Sequence, residues 1–474
     1  MTCLPEAAGR TNRTGRVRIA EKAAAVKTFL GIEKIFPDII IGSLKSSSGG
    51  RSMNYSEALE YIAGTERFGS KPGLERISEL LEKLGNPQEG LKFVHIAGTN
   101  GKGSCAAMTA SVLKAAGYKT GLYTSPYIYR FNERMQINGK EIEDGVLAEI
   151  VSRIAPVAEA MEEHPTEFEL MTAAALLWYA QESCDVVVFE VGLGGRFDAT
   201  NVIASPEAAI IMNIGLDHTA ILGETVEQIA AEKAGIIKPG CDCVLYQQSE
   251  SVEEVVKGVC EARGAKLHVA DFSAIESEFD SLEGQVFSYK GESYALPLLG
   301  AHQLRNAAVV IEAVEVLRQR GWNISPDALE HGLYSVHWPA RFELLSDEPY
   351  FIVDGGHNPQ CAGTVVENLA DYFSGIRHVM LVGVLADKDY ETLFSILNLA
   401  ADEYVCVTPK SARALPAEEL GRYLQKYGKP VTVCAEIDEG VFTATEKAAE
   451  CGGMVCAVGS LYMAGEIRAA MGMY

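Results

Sequence analysis

The chain has 474 residues, and because single cores stop growing at roughly 250 to 300 residues, two domains with a cleft between them are expected. Apolar residues make up 48% and charged residues 22%, and no apolar run approaches the roughly 20 residues needed to span a bilayer, which excludes membrane insertion. A net charge of -23 argues against a nucleic acid partner, which needs a basic footprint, so any bound phosphate requires a locally basic site.

Residues 1 to 52 differ in character from the rest of the chain. "GRTNRTGRVR" is basic and polar, "GSLKSSSGGRS" has linker composition, and no signal peptide is evident. This stretch is expected to be a disordered extension, or an upstream start mis-called in place of Met53. Next comes "MNYSEALEYIAG", with Ala58, Leu59 and Ile62 at helical spacing behind Asn54, a candidate cap. From Leu91, short apolar runs alternate with helix-period segments, the pattern of a parallel sheet covered by helices. The runs are "LKFVHIAG", "KTGLYTS", "DVVVFEVGLGG", "AAIIMNIGLDH" and "CDCVLY". "GQVFSYKGESYALPLLG" predicts a hairpin, and "AHQLRNAAVVIEAVEVLRQRG" an amphipathic helix ending at Gly321. A second α/β series runs through "PYFIVDGG", "HVMLVGV", "EYVCVTP", "VTVCAE" and "GGMVCAVGS", and Pro339 in "SVHWPARFELL" marks the join. The 11 cysteines and 9 histidines are scattered without metal or redox spacing, so reduced, cytoplasmic thiols and no structural zinc are expected.

The stretch "HIAGTNGKGS" departs from the usual phosphate loop: Ile96 stands at the first glycine position and Gly103 where the hydroxyl should be. What remains still meets the physical requirements. Glycines let backbone N–H groups turn inward, a helix N-terminus adds partial positive charge, and Lys102 adds a full one. The alternative is a Gly-rich turn with a solvated lysine. A transferred phosphoryl group also needs its charge neutralised, and ligands of open α/β sheets gather at the carboxyl ends of strands. Ser125, Glu190 and His218 fall there, Glu190 most tellingly, because a carboxylate after four apolar strand residues is costly to bury alone. For Ser125 and His218 an exposed loop position explains the residue equally well. "EVGLGGRFDATN" lacks the third glycine and the following helix of a dinucleotide fingerprint. Lys233 reads either as a surface lysine or as a cleft residue.

In this order the segments resemble the folylpolyglutamate synthase and dihydrofolate synthase family, within the wider group of Mur-type amide ligases. The resemblance rests on "HIAGTNGKGS", "YTSPYIYRFNERMQINGK", "FEVGLGGRFDATN", "NIGLDHTAILGET", "IAAEKAGIIKPG", "LLGAHQLRNAAVVIEA", "PARFELL", "DGGHNP" and "GSLYMAGEIR", and covers residues 53 to 474. It implies a P-loop ATPase-type parallel-sheet domain over 53–338, followed by a smaller Rossmann-like α/β domain over 339–474. It implies an ATP-dependent ligase that adds L-glutamate to a folate or dihydropteroate carboxylate through an acyl phosphate. Thr99, Asn100, Gly101, Lys102, Gly103 and Ser104 would cradle ATP phosphates, with Asn306, Arg341 and Asp354 completing the site. Ser125, Glu190 and His218 would surround Mg2+, and Lys233 matches a carbamylated lysine. Lys102, Lys233, Arg341 and His357 are the implied catalytic residues, with His357 and Ser460 near the incoming glutamate. The pterin would meet Lys71, Pro72 and Gly73, then Thr166, Glu167, Phe168 and Glu169, then Phe197, Asp198 and Ala199.

"PAR" stands for the more frequent Pro-Gly-Arg, "DGGHNP" for Asp-Gly-Ala-His-Asn-Pro, and Tyr127 where His often follows Ser-Pro. The acidic chain needs a basic cleft for anionic substrates, which Lys102, Arg196, Lys233 and Arg341 are expected to supply. A monomer is the default. The rivals are a Mur-type ligase acting on a nucleotide-sugar peptide, whose loop runs Gly-Lys-Thr, and a nucleotide-dependent binding module without ligase chemistry.

Overall fold

The structure, a computed structural model, describes residues 52–65 and 72–473. Lys71 and, but for Ser52, the expected N-terminal extension lie outside the described residues. The described chain opens with the helix Tyr55–Ala63. Asn54 Oδ1 accepts from the Glu57 N–H at 3.0 Å while the Glu57 carboxylate accepts from the Asn54 N–H at 2.9 Å, a reciprocal capping box.

The apolar runs become strands at the expected places. β1 (Phe93–Ala97), β2 (Thr120–Tyr123), β3 (Met135–Ile137), β4 (Lys140–Glu141), β5 (Val186–Glu190), β6 (Ala208–Ile211), β7 (Asp242–Leu245) and β8 (Leu267–Val269) form one sheet in the order β4-β3-β2-β5-β1-β6-β7-β8. From β2 through β8 the neighbours run parallel. β3 and β4 are an antiparallel addition that the apolar-run pattern did not reveal. They turn at Asn138 and Gly139, both at positive φ, the backbone a two-residue hairpin needs. Both faces of the sheet are covered. Val94 and Ile96 of β1 pack toward the helices Lys102–Ala115 and Ala301–Gln319, while Phe93 packs toward Glu75–Lys83 and Glu167–Gln181 on the other face. That two-sided burial explains why the strands read as continuous apolar runs.

The expected hairpin forms as β10 (Gly284–Tyr289) and β11 (Glu292–Leu296), joined by an unforeseen β9 (Ile275–Ser281) into a small antiparallel sheet. β12 (Glu343–Asp347), β13 (Tyr350–Val353), β14 (His378–Val382), β15 (Glu403–Cys406), β16 (Val431–Val433) and β17 (Met454–Val458) form a second sheet in the order β12-β13-β17-β14-β15-β16. All neighbours are parallel except β12 with β13. Alternate residues of its strands enter two cores: Ile352, Met380 and Cys406 on one face, Phe351, Leu381 and Val405 on the other. The carboxyl ends of the strands of both sheets lead into the loops that carry the candidate site.

Candidate functional site

The loop Gly98–Ser104 leaves β1 at the centre of the first sheet, between β5 and β6, where the strand order reverses, the place such sheets bind ligands. Gly101 caps the helix Lys102–Ala115 at φ 84, and a Cβ there would stand 2.8 Å from Asn306 Oδ1. The loop is tied to the exit of β6. Thr99 N–H donates to Asn213 O at 2.7 Å, and the Thr99 hydroxyl donates to Gly215 O at 3.1 Å. Lys102 folds back over the loop, its Nζ donating to Gly98 O and Thr99 O, each at 3.1 Å. Ser104 is buried and accepts from Gln303 Nε2 at 3.3 Å, and Gln303 Oε1 accepts from Asn306 Nδ2 at 3.0 Å.

Lys233 arrives from the end of the helix Val226–Lys233 and donates to the same Gly98 O at 2.8 Å. Two ammonium groups thus share one carbonyl, and Lys233 is buried. Burial first, and then the Lys102 charge, push its pKa down to about 7. Of its two sequence readings, the cleft residue is the one the fold shows. Glu190, buried at the end of β5, accepts from Ser125 N–H at 3.1 Å. Burial raises its pKa, opposed by the Lys102 charge, the Ser125 N–H and the charges of Arg341 and Arg134. His218, at φ 50, has its pKa lowered by burial, against the neighbouring Asp217 carboxylate. The Lys102 charge acts on both Glu190 and His218, so both lie within its reach.

The second sheet closes this site. Asn358 caps the helix Pro359–Tyr372 with its Oδ1 and donates through Nδ2 to Asn100 Oδ1 at 2.9 Å; Asn100 Nδ2 in turn donates to Gln360 Oε1 at 2.6 Å. Lys388, after β14, pairs with Asp217 at 3.0 Å, both side chains largely buried. Asp354 accepts from Phe342 N–H at 2.8 Å and Gly356 N–H at 2.7 Å, and burial raises its pKa against the Arg341 charge. The His357 ring faces Gly355 O through Nδ1 at 3.1 Å, and burial holds its pKa down at about 4. Ala340 and Phe342, on either side of Arg341, have φ of 54 and 48, so the backbone that aims this arginine is left-handed twice. This is why a glycine suits the middle of "PAR" and why Ala340 is strained there. Ser460 Oγ accepts from Tyr462 N–H at 3.2 Å as the cap of the helix Leu461–Ala470.

The residues implied for the pterin divide by what already holds them. Thr166 caps the helix Glu167–Gln181 in a capping box with Glu169, whose buried carboxylate pairs with Arg76 at 3.1 Å. Asp198 is buried and accepts from Leu193 N–H at 2.9 Å, Thr200 N–H at 3.0 Å and the Thr200 hydroxyl at 2.5 Å. Phe168 lies with its ring end against Gly192, beyond Glu190, and Ala199 is buried. Phe197 is exposed, and Pro72 and Gly73 stand before the helix Glu75–Lys83. Arg196 is half exposed and pairs with Glu232 at 3.5 Å.

Sequence reasoning missed Asp217, Asn358 and Gln303, which stand inside motifs without a chemical pattern of their own, and Lys388, which stands outside every motif. Among the described residues no three His, Cys, Asp or Glu side chains gather closely enough to hold a metal ion by themselves. A single carboxylate, an imidazole and a hydroxyl still suit Mg2+, which keeps waters and substrate phosphates as ligands.

The Mur ligase middle domain family matches residues 96–314, and the Mur ligase glutamate ligase domain family matches residues 340–461. The dihydrofolate synthase/folylpolyglutamate synthase of Bacillus subtilis is 37% identical over 426 residues, covering 87% of this chain and 98% of that one. The folylpolyglutamate synthase of Lacticaseibacillus casei is 38% identical, covering 77% and 88%. A Mycobacterium tuberculosis folylpolyglutamate synthase solved with ADP and AMPPCP superposes with a TM-score of 0.82 at 31% identity, over 89% of this chain and 100% of the other. E. coli FolC in complex with DHPP and ADP superposes at 0.78 with 28% identity, over 89% and 99%.

Proposed function

Since the chain belongs to the dihydrofolate synthase/folylpolyglutamate synthase family of Mur-type ligases, we propose that it uses ATP to join L-glutamate to the carboxylate of a folate or of dihydropteroate. The observation that carries this reading is the meeting of Lys102 and Lys233 on Gly98 O beside the buried Glu190, with Arg341 brought in from the second sheet.

A carboxylate and an amine do not condense in water, because hydroxide leaves poorly and the carboxylate repels nucleophiles. The substrate carboxylate oxygen attacks the γ-phosphorus of ATP, the bond to ADP breaks, and an acyl phosphate forms. Lys102, the loop N–H groups and Arg341 neutralise the charge that develops. The free amine of glutamate attacks the acyl carbon, and the tetrahedral intermediate expels phosphate as the amine loses its proton. His357 turns Nδ1 to a carbonyl, so Nδ1 carries the hydrogen and Nε2 is left to orient the amine or accept its proton. Mg2+ would be held by Ser125, Glu190 and His218 and would neutralise phosphate charge. His218, with its lowered pKa, is a neutral ligand at physiological pH.

With a pKa of about 7, Lys233 offers a substantial fraction of neutral amine to CO2, and we propose that it is carbamylated. The amine nitrogen bonds the CO2 carbon, a proton leaves, and a carboxylate-like anion replaces a cation next to Lys102. The pterin would be held by Phe168, Asp198 and the segments around them. We place the boundary between the two domains at residues 338 and 339, and propose a monomer working in the cytoplasm, in keeping with the ten free thiols among the described residues. Among those residues no helix is long and apolar enough to cross a membrane.

The test is mass spectrometry of the products formed from ATP and glutamate, with dihydropteroate in one reaction and a reduced folate in another. A glutamyl mass increment in either supports the reading and identifies the acceptor. ATP hydrolysis indifferent to both acceptor and glutamate overturns it in favour of a binding module.

A further inference from the structure

Gly103, the residue that stands where the commoner phosphate loop has a hydroxyl, is helical and is absent from the positive-φ glycines, so its backbone would accept any residue. What it lacks is room. A Cβ at 103 would lie 3.0 Å from Cζ2, 3.1 Å from Nε1 and 3.2 Å from Cε2 of Trp338. The Nε1–Cζ2 edge of the indole therefore lies against the first turn of the helix whose N–H groups form the phosphate site. Trp338 also packs on the core that this helix shares with Ala301–Gln319, and its Nε1 is buried with no hydrogen-bond partner. A buried donor left unpaired is a cost, so the position uses the flat bulk of an aromatic ring and not its N–H.

Trp338 comes from the stretch between the helix Pro326–Tyr334 and β12, three residues before Arg341. A cavity of about 680 Å³ borders both Trp338 and Arg341 and runs along Ala107, Ala110 and Ser111 of the same helix. The ring borders this cavity and touches the first turn of the helix, so its removal leaves that turn without the contact at Gly103.

We infer that Trp338 is a positioning residue for the phosphate loop. Its indole braces the first helical turn, so that the N–H groups of Gly103 and Ser104 and the charge of Lys102 are held where phosphates dock, and it fixes that turn relative to Arg341. Gly103 is the counterpart of the ring: the loop departs from the common pattern because the tryptophan occupies the space of a side chain. This rests on the loop binding nucleotide and is independent of which acid is ligated.

The test is calorimetric titration of the full chain with ADP for the wild type, Gly103→Ala, Trp338→Leu and the double variant. Gly103→Ala is expected to weaken ADP about tenfold through overpacking against the ring, Trp338→Leu several-fold through loss of the brace, and the double variant to bind better than Gly103→Ala alone. Trp338→Phe, which is the safer variant for folding, should stay within about threefold of wild type, because a smaller ring still braces the turn. A double variant as weak as Gly103→Ala would show that the glycine answers to the phosphate and not to the ring, and would overturn the inference. So would a Trp338→Leu protein with lowered Tm and unchanged ADP affinity. Failure of the ligase reading would leave these ADP affinities unaffected, so the two can fail separately.

Discussion

In the first half of the molecule the charged groups of the site are sunk at strand and helix ends: Glu190 is 3% exposed and Lys233 4%. In the second half they stand on loops, and Asp354 and His357 are held mainly by backbone N–H and carbonyl groups. The first arrangement perturbs protonation by burial and by mutual charge, as the pKa of Lys233 shows. The second fixes direction, through caps and a left-handed backbone around Arg341. Burial shifts Asp354 and His357 as well, so what distinguishes the second half is the backbone that directs its groups, and substitutions in the two halves should fail differently.

The largest expected effect lies in the first half. Lys102→Ala should lower ligase turnover by at least about 10²–10³-fold, the range seen when one preorganised donor to a developing charge is lost. Steady-state kinetics with ATP, glutamate and acceptor would check it, and near-normal turnover would remove the loop from the mechanism. Next, Glu169→Gln removes the charge from a buried pair with Arg76 while keeping an oxygen for the capping box. It should cost about 3 kcal/mol in urea unfolding, because the partner charge stays buried. A loss of acceptor affinity without loss of stability would instead make Glu169 a direct substrate contact.

The third prediction concerns Lys233 and pH. Its folded pKa of about 7 lies below the unfolded value of 10.5. Below about pH 7 both states hold the proton; between the two values only the unfolded chain does, so stability rises with pH across that window. Relative to Lys233→Met, the wild type should gain Tm from pH 7 to 9.5 and show no such gain from pH 6 to 7. A parallel pair of curves would mean that the amine is not desolvated. The smallest effect belongs to the second half. Asn358→Ala should cost about 1 kcal/mol, the usual worth of a lost N-cap, and should also raise the KM for ATP, because Asn358 holds Asn100 of the loop. A stability loss with unchanged KM would reduce Asn358 to a cap alone.

Much of the fold was legible in the sequence. β1, β2, β5, β6, β7 and β13 to β17 read from it because parallel strands buried on two faces leave continuous apolar runs, whereas β8 and β12, with no buried residue, matched no such run. The β3–β4 hairpin was not legible either, since strands of three and two residues are too short to display alternation, although the Asn138–Gly139 pair carries the turn signal. β9 was missed because five of its seven residues are exposed, which removes the apolar signature. At the site, Glu190 declared itself as a carboxylate after an apolar strand, whereas Asp217 and Lys388 did not, because each is an ordinary loop charge until the other is placed beside it.

The sequence by itself determined the order of strands, loops and helices, the phosphate loop at Gly98–Ser104, and the capping residues Asn54 and Thr166, because those depend on neighbours within a few positions. Only the tertiary structure decided that Lys102 and Lys233 share one carbonyl, that Asn358 grips Asn100, and that the ring of Trp338 fills the place of a side chain at Gly103. Periodicity reports the face a residue occupies on its own element, and carries no information about which distant loop that face will meet.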